Sequence, residues 1–129
     1  MTVGISGVNL ANKILDGATR TGSFPTPSSL FVKLHTGDPG ASGTANASAV
    51  TTRSAATFGS AASGGVATMT NTPSWSMTGT ETISHISLYD ASTAGNFLWS
   101  VALTASKSVS NGDTLNLSSL TLTFTPIAA

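Results

Sequence analysis

No cysteine occurs in this 129-residue chain, which excludes a disulfide framework and any thiolate metal site. Charge is almost absent too. Asp, Glu, Lys and Arg supply 8% of the residues, and five cations cancel five anions, whereas an average globular domain is about 25% charged. Lys13, Arg20, Lys33, Arg53 and Lys107 stand singly along the chain, so no clustered basic stretch marks a nucleic-acid face. Apolar runs stay far short of the roughly 20 residues that span a bilayer. The start, Met1-Thr-Val-Gly-Ile-Ser, lacks the basic and apolar regions of a secretory signal. These absences lead us to expect a soluble protein that is not secreted by the usual route, with neither nucleic acid nor membrane as partner.

Catalytic signatures are lacking as well. There is no Gly-x-Ser-x-Gly elbow, no Walker loop and no Gly-x-Gly-x-x-Gly cradle, the local patterns that expose a nucleophile or hold phosphates. The ionisable inventory is short: His35, His85, Asp16, Asp38, Glu81, Asp90 and Asp113, besides the five cations. No spacing selects a convergent set from it. We therefore expect no enzyme and no cofactor.

What fills the chain is Ser (20) and Thr (21), nearly a third of all residues, with 17 Ala and 13 Gly. Together with 40% apolar residues and zero net charge, this does not fit the disordered class, which pairs low hydrophobicity with high charge. Thr, Val and Ile favour a pleated, half-buried surface. The length suits one domain over residues 1–129, large enough for a core without metal or disulfide.

Residues 6–16 carry the helix signal: Ser6 as N-cap, Val8, Ala11, Ile14 and Leu15 at helical spacing, and Gly17 as C-cap. We read residues 1–22 as a helical arm, whose stripe docks on its own sheet or on a partner subunit. Phe24-Pro25-Thr-Pro27 breaks it, and residues 28–126 read as the β-body. Residues 30–35 are the first strand, with Leu30, Val32 and Leu34 on one face and Phe31, Lys33 and His35 on the other. Residues 37–49 form a surface loop, functional or mobile. Strands follow at 50–58, 66–71, 74–78, 82–89 and 97–103, the last with Phe97, Trp99, Val101 and Leu103 on one face. Asn111-Gly112 signals a type I′ turn, and the parity shift across Ser118-Ser119 suggests a bulge. Such spacing predicts an all-β fold, an antiparallel β-sandwich (jelly-roll or Ig-like) of seven to eight strands with a short N-terminal helix.

Chemistry would be sought first at Leu34-His35-Thr36-Gly37-Asp38-Pro39-Gly40. His35 and Asp38 could pair across the turn as an acid–base or metal set. The simpler reading makes Asp38 the cap of its own turn, fixed by Pro39 and Gly40. His85 reads as a hydrogen-bonded sheet histidine, and Asp90 as a turn starter. Trp99 reads as core. Trp75 reads as core or interface ahead of sugar stacking. Asn46-Ala-Ser48 and Asn116-Leu-Ser118 match the glycosylation sequon by chance in a Ser-rich chain.

Order and spacing add a resemblance. The helix with Asn9 and Leu15 is followed by Leu30-Phe-Val-Lys-Leu-His-Thr-Gly-Asp-Pro-Gly40. Thr52-Arg53-Ser, Thr57-Phe58-Gly59 and Trp75 come next, then Ile83-Ser-His85-Ile-Ser-Leu-Tyr89-Asp90-Ala91, Gly95-Asn-Phe-Leu98, Ser106-Lys107-Ser-Val and Gly112-Asp-Thr-Leu115. Over residues 6–125 this resembles the small bacteriophage structural proteins with a Leu-His-Thr-x-Asp-Pro-Gly motif, commonly labelled tail-fibre proteins. The resemblance implies a non-enzymatic virion component with a β-sandwich fold, on the tail or fibre or else decorating the capsid. Its partners would be further copies of itself and other virion proteins; the helix stripe and the interface reading of Trp75 make Val8, Ala11, Ile14, Leu15 and Trp75 the candidate contacts. His35, Thr36, Asp38, Pro39 and Gly40 would serve as a structural turn. A receptor- or glycan-binding module, using Trp75 and residues 37–49, is the reading from another class.

Overall fold

A computed structural model of the chain describes residues 3–60 and 64–124; the outer limits expected for arm and body, at residues 1 and 126, lie outside them. The fold is an all-β antiparallel sandwich with a short N-terminal helix. One layer is a five-stranded sheet in the order β1 (Gly4–Ile5), β7 (Phe97–Val109), β6 (Glu81–Tyr89), β2 (Leu30–His35), β3 (Ser54–Ala56). Two ribbons complete the other elements: β4 (Val66–Thr68) with β9 (Thr121–Thr123), and β5 (Ser74–Ser76) with β8 (Thr114–Asn116). Val32, Leu34, Ile83, Ile86, Leu88 and Trp99 from the sheet join Met69, Trp75, Met77 and Leu120 in one core.

The first strand runs over the residues its alternation predicts, with Val32 and Leu34 fully buried. Directly opposed residues of an antiparallel pair share a face, so the register of β2 against β6 sorts the sheet. Val32 opposes Leu88 and Leu34 opposes Ile86 on the inner face. Lys33 opposes Ser87, Phe31 opposes Tyr89 and His35 opposes His85 on the outer one.

Five expectations are corrected. Phe97 and Trp99 do not share a face: Leu88 opposes Trp99 while its neighbour Tyr89 opposes Phe97. One strand therefore spends an extra residue, Leu98, in a β-bulge. Trp99 goes inward, where its ring meets Phe58 edge-on at 6.0 Å, and Phe97 goes outward beside Tyr89 at 5.9 Å. The bulge also buries Leu98.

The helix is the second correction. Ser6 does cap it, accepting from the Asn9 N–H at 3.2 Å, but the first five residues, Gly7–Ala11, form a π-helical turn before α1 (Asn12–Thr19). The wider turn rotates the apolar stripe, so Leu10 enters the core and Ile14 packs on it, while Val8 and Leu15 are exposed. Gly17 lies inside α1 rather than ending it; the Phe24 ring sits where a β-carbon on Gly17 would go, at 3.0 Å.

Third, Gly4–Ile5 adds a strand to β7, which residue patterning did not foretell. Fourth, Asn111-Gly112 is no hairpin turn. Gly112 alone has positive φ there (+90°), and Asp113 N–H donates to Ser110 C=O at 3.1 Å, the pattern of a type II turn. It hands the chain from β7 to β8, which pairs with β5 instead. Fifth, Ser118-Ser119 is not a bulge but the crossing between ribbons, since β8 and β9 pair with different strands.

One polar atom in this layer is poorly served. Ser100 Oγ is buried and has no hydrogen-bond partner among the described residues, and a stranded hydroxyl costs about 1–3 kcal/mol. Ser100→Ala should therefore leave the fold intact and be neutral or up to about 1–2 kcal/mol stabilising, read from urea denaturation; a loss of stability would show that Oγ has a partner.

Candidate functional site

The sheet's outer face is not left to solvent. Residues 37–46 fold back over it, each turn of the loop tied to a group beneath. Asp38 accepts from Gly40 N–H at 2.8 Å and so turns the chain after Pro39, which is itself fully buried. Ala45 N–H reaches Pro39 C=O at 2.9 Å, and the Asn46 side-chain amide donates to Asp38 C=O at 2.8 Å. Gly43 takes φ +72° at the point of closest approach, where its C=O accepts from Tyr89 Oη at 2.6 Å. At the far end, Ser48 Oγ donates to the Glu81 carboxylate, and Ala49 N–H meets the same carboxylate at 3.2 Å. The long surface loop expected over 37–49 is thus a fitted cover.

His35 holds this cover from below. It is fully buried. Its Nδ1 lies 2.8 Å from Ala45 C=O, and because a carbonyl only accepts, Nδ1 carries the proton. Nε2 is then the acceptor for Ser87 Oγ–H at 2.7 Å. Desolvation lowers the His35 pKa from its ordinary value, outweighing the carbonyls of Ala45 and Asn46, which act to raise it; Lys33 and His85 lower it further. The ring is a neutral strut between loop and sheet. Asp38 and His35 do not form an acid–base or metal pair: both ring nitrogens are engaged elsewhere, and Asp38 Oδ1 holds Gly40 N–H.

Beside the cover, a groove of about 480 Å³ opens between the 6–9 turn, residues 41–44 and the 90–97 loop. Arg53 and Lys33 both line it, and both line an adjoining hollow of about 430 Å³. The Arg53 guanidinium lies over the ring of Tyr89, the chain's single tyrosine, with Cζ 3.5 Å from its centroid. Its Nη1 donates to Ala91 C=O at 2.8 Å and Ala94 C=O at 2.6 Å. Burial first, and then Arg53, lower the Lys33 pKa from its ordinary value. Asp90 closes the neighbouring loop as a turn starter, accepting from Asn96 N–H at 2.6 Å and the Asn96 side-chain amide at 2.8 Å. Burial raises its carboxyl pKa, but the Asn96 bonds outweigh this and leave it lowered.

Residues 6–125 match the family model described as the podophage GP4 fiber I protein gp80. The chain belongs to this fibre family. No curated protein matches it.

In this fibre protein the residues singled out from sequence separate into two groups. His35, Thr36, Asp38, Pro39 and Gly40 come together as the corner of the loop cover, with Thr36 N–H on Asn46 C=O at 2.8 Å. Val8, Ala11, Ile14 and Leu15 lie along the N-terminal helix, Val8 and Leu15 exposed, Ala11 and Ile14 half-buried. Trp75 is elsewhere: it is 4% exposed in the core, with Nε1–H on Thr52 C=O at 3.0 Å, and has no ring face free for a sugar or partner. His85 has Ser84 Oγ at 2.8 Å from Nδ1, as expected of a sheet histidine. Sequence reasoning did not find Ser87, Gly43, Tyr89 and the Lys33–Arg53 pair; Lys33 and Arg53 are twenty residues apart on different strands or their extensions, which no local spacing encodes.

Two tests follow from the cover. A β-carbon on Gly43 would sit 2.4 Å from the Phe97 ring in a left-handed backbone, so Gly43→Ala should cost about 2–4 kcal/mol and raise loop hydrogen exchange, read from urea midpoints and exchange rates. For His35, the unfolded chain binds a proton near pH 6.5 and the folded one only at lower pH. Stability is therefore full above about pH 6.5 and falls as pH drops toward the folded value. Urea midpoints at pH 7.5 and 5.5 should show this decline, and His35→Asn should flatten it.

Proposed function

We propose that this protein is a non-enzymatic fibre subunit, displayed on the exterior of the phage particle after synthesis in the bacterial cytoplasm, and held there by symmetric contacts with its own copies and by other virion proteins. Its carrying observation is the divided helix. Leu10 and Ile14 pack on the protein's own core, whereas Val8 (75% exposed), Leu15 (60%) and nearby Phe24 (55%) remain uncovered. Exposed apolar side chains grouped on one short element fit a contact made on assembly. The outer edge of β7 supports the same reading: past Ser100, where β1 ends, residues 102–108 are exposed except Leu103, with Lys107 as the one charge. Charges that usually blunt a sheet edge are scarce there.

Labelling the protein on intact virions and imaging the particle tests the placement. A few copies at a fibre are expected; hundreds in a head lattice would replace this reading with capsid decoration. A Val8→Ser/Leu15→Ser variant should fold normally by circular dichroism, since both residues are exposed, yet enter particles at least about tenfold less, as losing a hydrophobic contact pair of about 1.5–3 kcal/mol requires. Normal incorporation would remove the helix from the contact.

A further inference from the structure

Two of the five cations of a nearly uncharged chain share one groove wall with no carboxylate paired to either: the only ion pair among the described residues joins Arg20 to Asp16. Juxtaposed like charges repel, and the fold tolerates this with Lys33 partly buried. Asp38, five residues after Lys33, holds Gly40 N–H, and Asp90, which follows Tyr89 in the chain, is directed at Asn96. Arg53 staples the 90–96 loop to Tyr89. That accounts for the ring stack and for Nη1, but not for Lys33, and not for the rest of the guanidinium.

Arg has five N–H donors. Nη1 spends its two on Ala91 and Ala94, while Nε and Nη2 have no partner among the described residues. Of those three donors, Nε–H and the Nη2–H parallel to it form the side-on fork that meets two oxygens of a carboxylate or phosphate. The stack on Tyr89 and the two carbonyls hold the fork in place beforehand, so little side-chain freedom remains to be lost on binding. Lys33 supplies a second positive charge on the same wall.

At about 480 Å³ the groove is far larger than one oxyanion and within the range of small-molecule sites. The rest of its lining is mixed in a particular way: the Ser42 and Thr44 hydroxyls bond each other at 2.8 Å, the Asn9 and Asn96 amides donate to Phe97 C=O and Asp90, all four keep further acceptor positions, and Val8 and Phe97 offer apolar surface. Such a lining suits a ligand bearing many hydroxyls on an apolar ring frame. We propose that this groove binds an acidic saccharide, with its carboxylate or phosphate substituent on the Arg53 fork and Lys33, and its hydroxyls on the Ser42, Thr44 and Asn96 side. The site is distinct from Trp75 and is a property of the isolated chain, independent of where on the particle the protein sits.

The test is titration of the purified full chain at low salt, followed by NMR or calorimetry. The ligands are a galacturonic acid oligosaccharide, glucose 1-phosphate, the matching neutral sugars and inorganic phosphate. Binding of one or both acidic sugars is expected, and which one binds identifies the substituent. Neutral sugars and inorganic phosphate should bind at least tenfold more weakly. Lys33→Gln should weaken binding about tenfold, the loss of one charge-assisted contact, and Lys33→Arg should restore most of it. Because Lys33 has no hydrogen-bond partner among the described residues to lose, these variants do not depend on disturbing Arg53. No binding of either acid, equal binding of the neutral sugar or of bare phosphate, or wild-type affinity in Lys33→Gln would each overturn the proposal. Since the assay uses no virions, failure here leaves the fibre placement standing, and failure of that placement leaves this result readable.

Discussion

A neutral imidazole buried between a sheet and a loop is the constraint on which the rest of the outer face depends. His35 accepts a hydrogen bond from Ser87 Oγ on the neighbouring strand and donates one from Nδ1 to the Ala45 carbonyl overhead. With that carbonyl fixed, Gly43 comes down onto the Phe97 ring and its C=O meets Tyr89 Oη. Tyr89, thus held at its hydroxyl end, offers a stationary ring to Arg53. Each group positions the next, from a core histidine to a surface cation, through contacts that a polar loop could not otherwise maintain over a sheet. Backbone groups under such a cover must all find partners, and Asn46, Asp38 and Tyr89 supply them here.

Scarcity of charge gives the arrangement its meaning. On an ordinary domain, two adjacent cations would be one local feature among dozens. Here the surface is mostly Ser, Thr, Ala and Gly, so long-range fields are weak, and recognition rests on short-range packing and hydrogen bonds. That suits membership of a fibre family, whose members work as parts of a particle. Neutral strands carry little like-charge repulsion when copies are brought close.

Much of the fold was legible where its cause is local. The alternation Leu30 to His35 fixed β2 to the residue, the paired runs after Thr82 and Phe97 marked the two central strands, and Ser6 and Asp38 were readable as caps because their side chains bond within three residues. Legibility failed where the cause is distant. The π-turn that exposes Val8 and buries Leu10 is selected by docking on the sheet, not by helix periodicity. The bulge at Leu98 is a register event between strands, invisible within either one. The cover over 37–46 looks like loose loop because Gly, Ser, Ala and Asn carry no burial signal; its order comes from His35, Ser87 and Tyr89. Lys33 and Arg53 were read as scattered charges since only the pairing of β2 with β3 brings them together.

Ile5 pairs with Trp99, more than ninety residues further along the chain. Closing so long a loop is slow compared with forming the hairpins between. On the ribosome, β1 has no strand to join until Trp99 has been made and released, and the capped turn that follows it has no Leu98 carbonyl to receive the Ser6 N–H. The N-terminal helix therefore reaches its final orientation late, after the central strands have formed. A growing chain therefore cannot hold Val8 and Leu15 where the finished fold holds them.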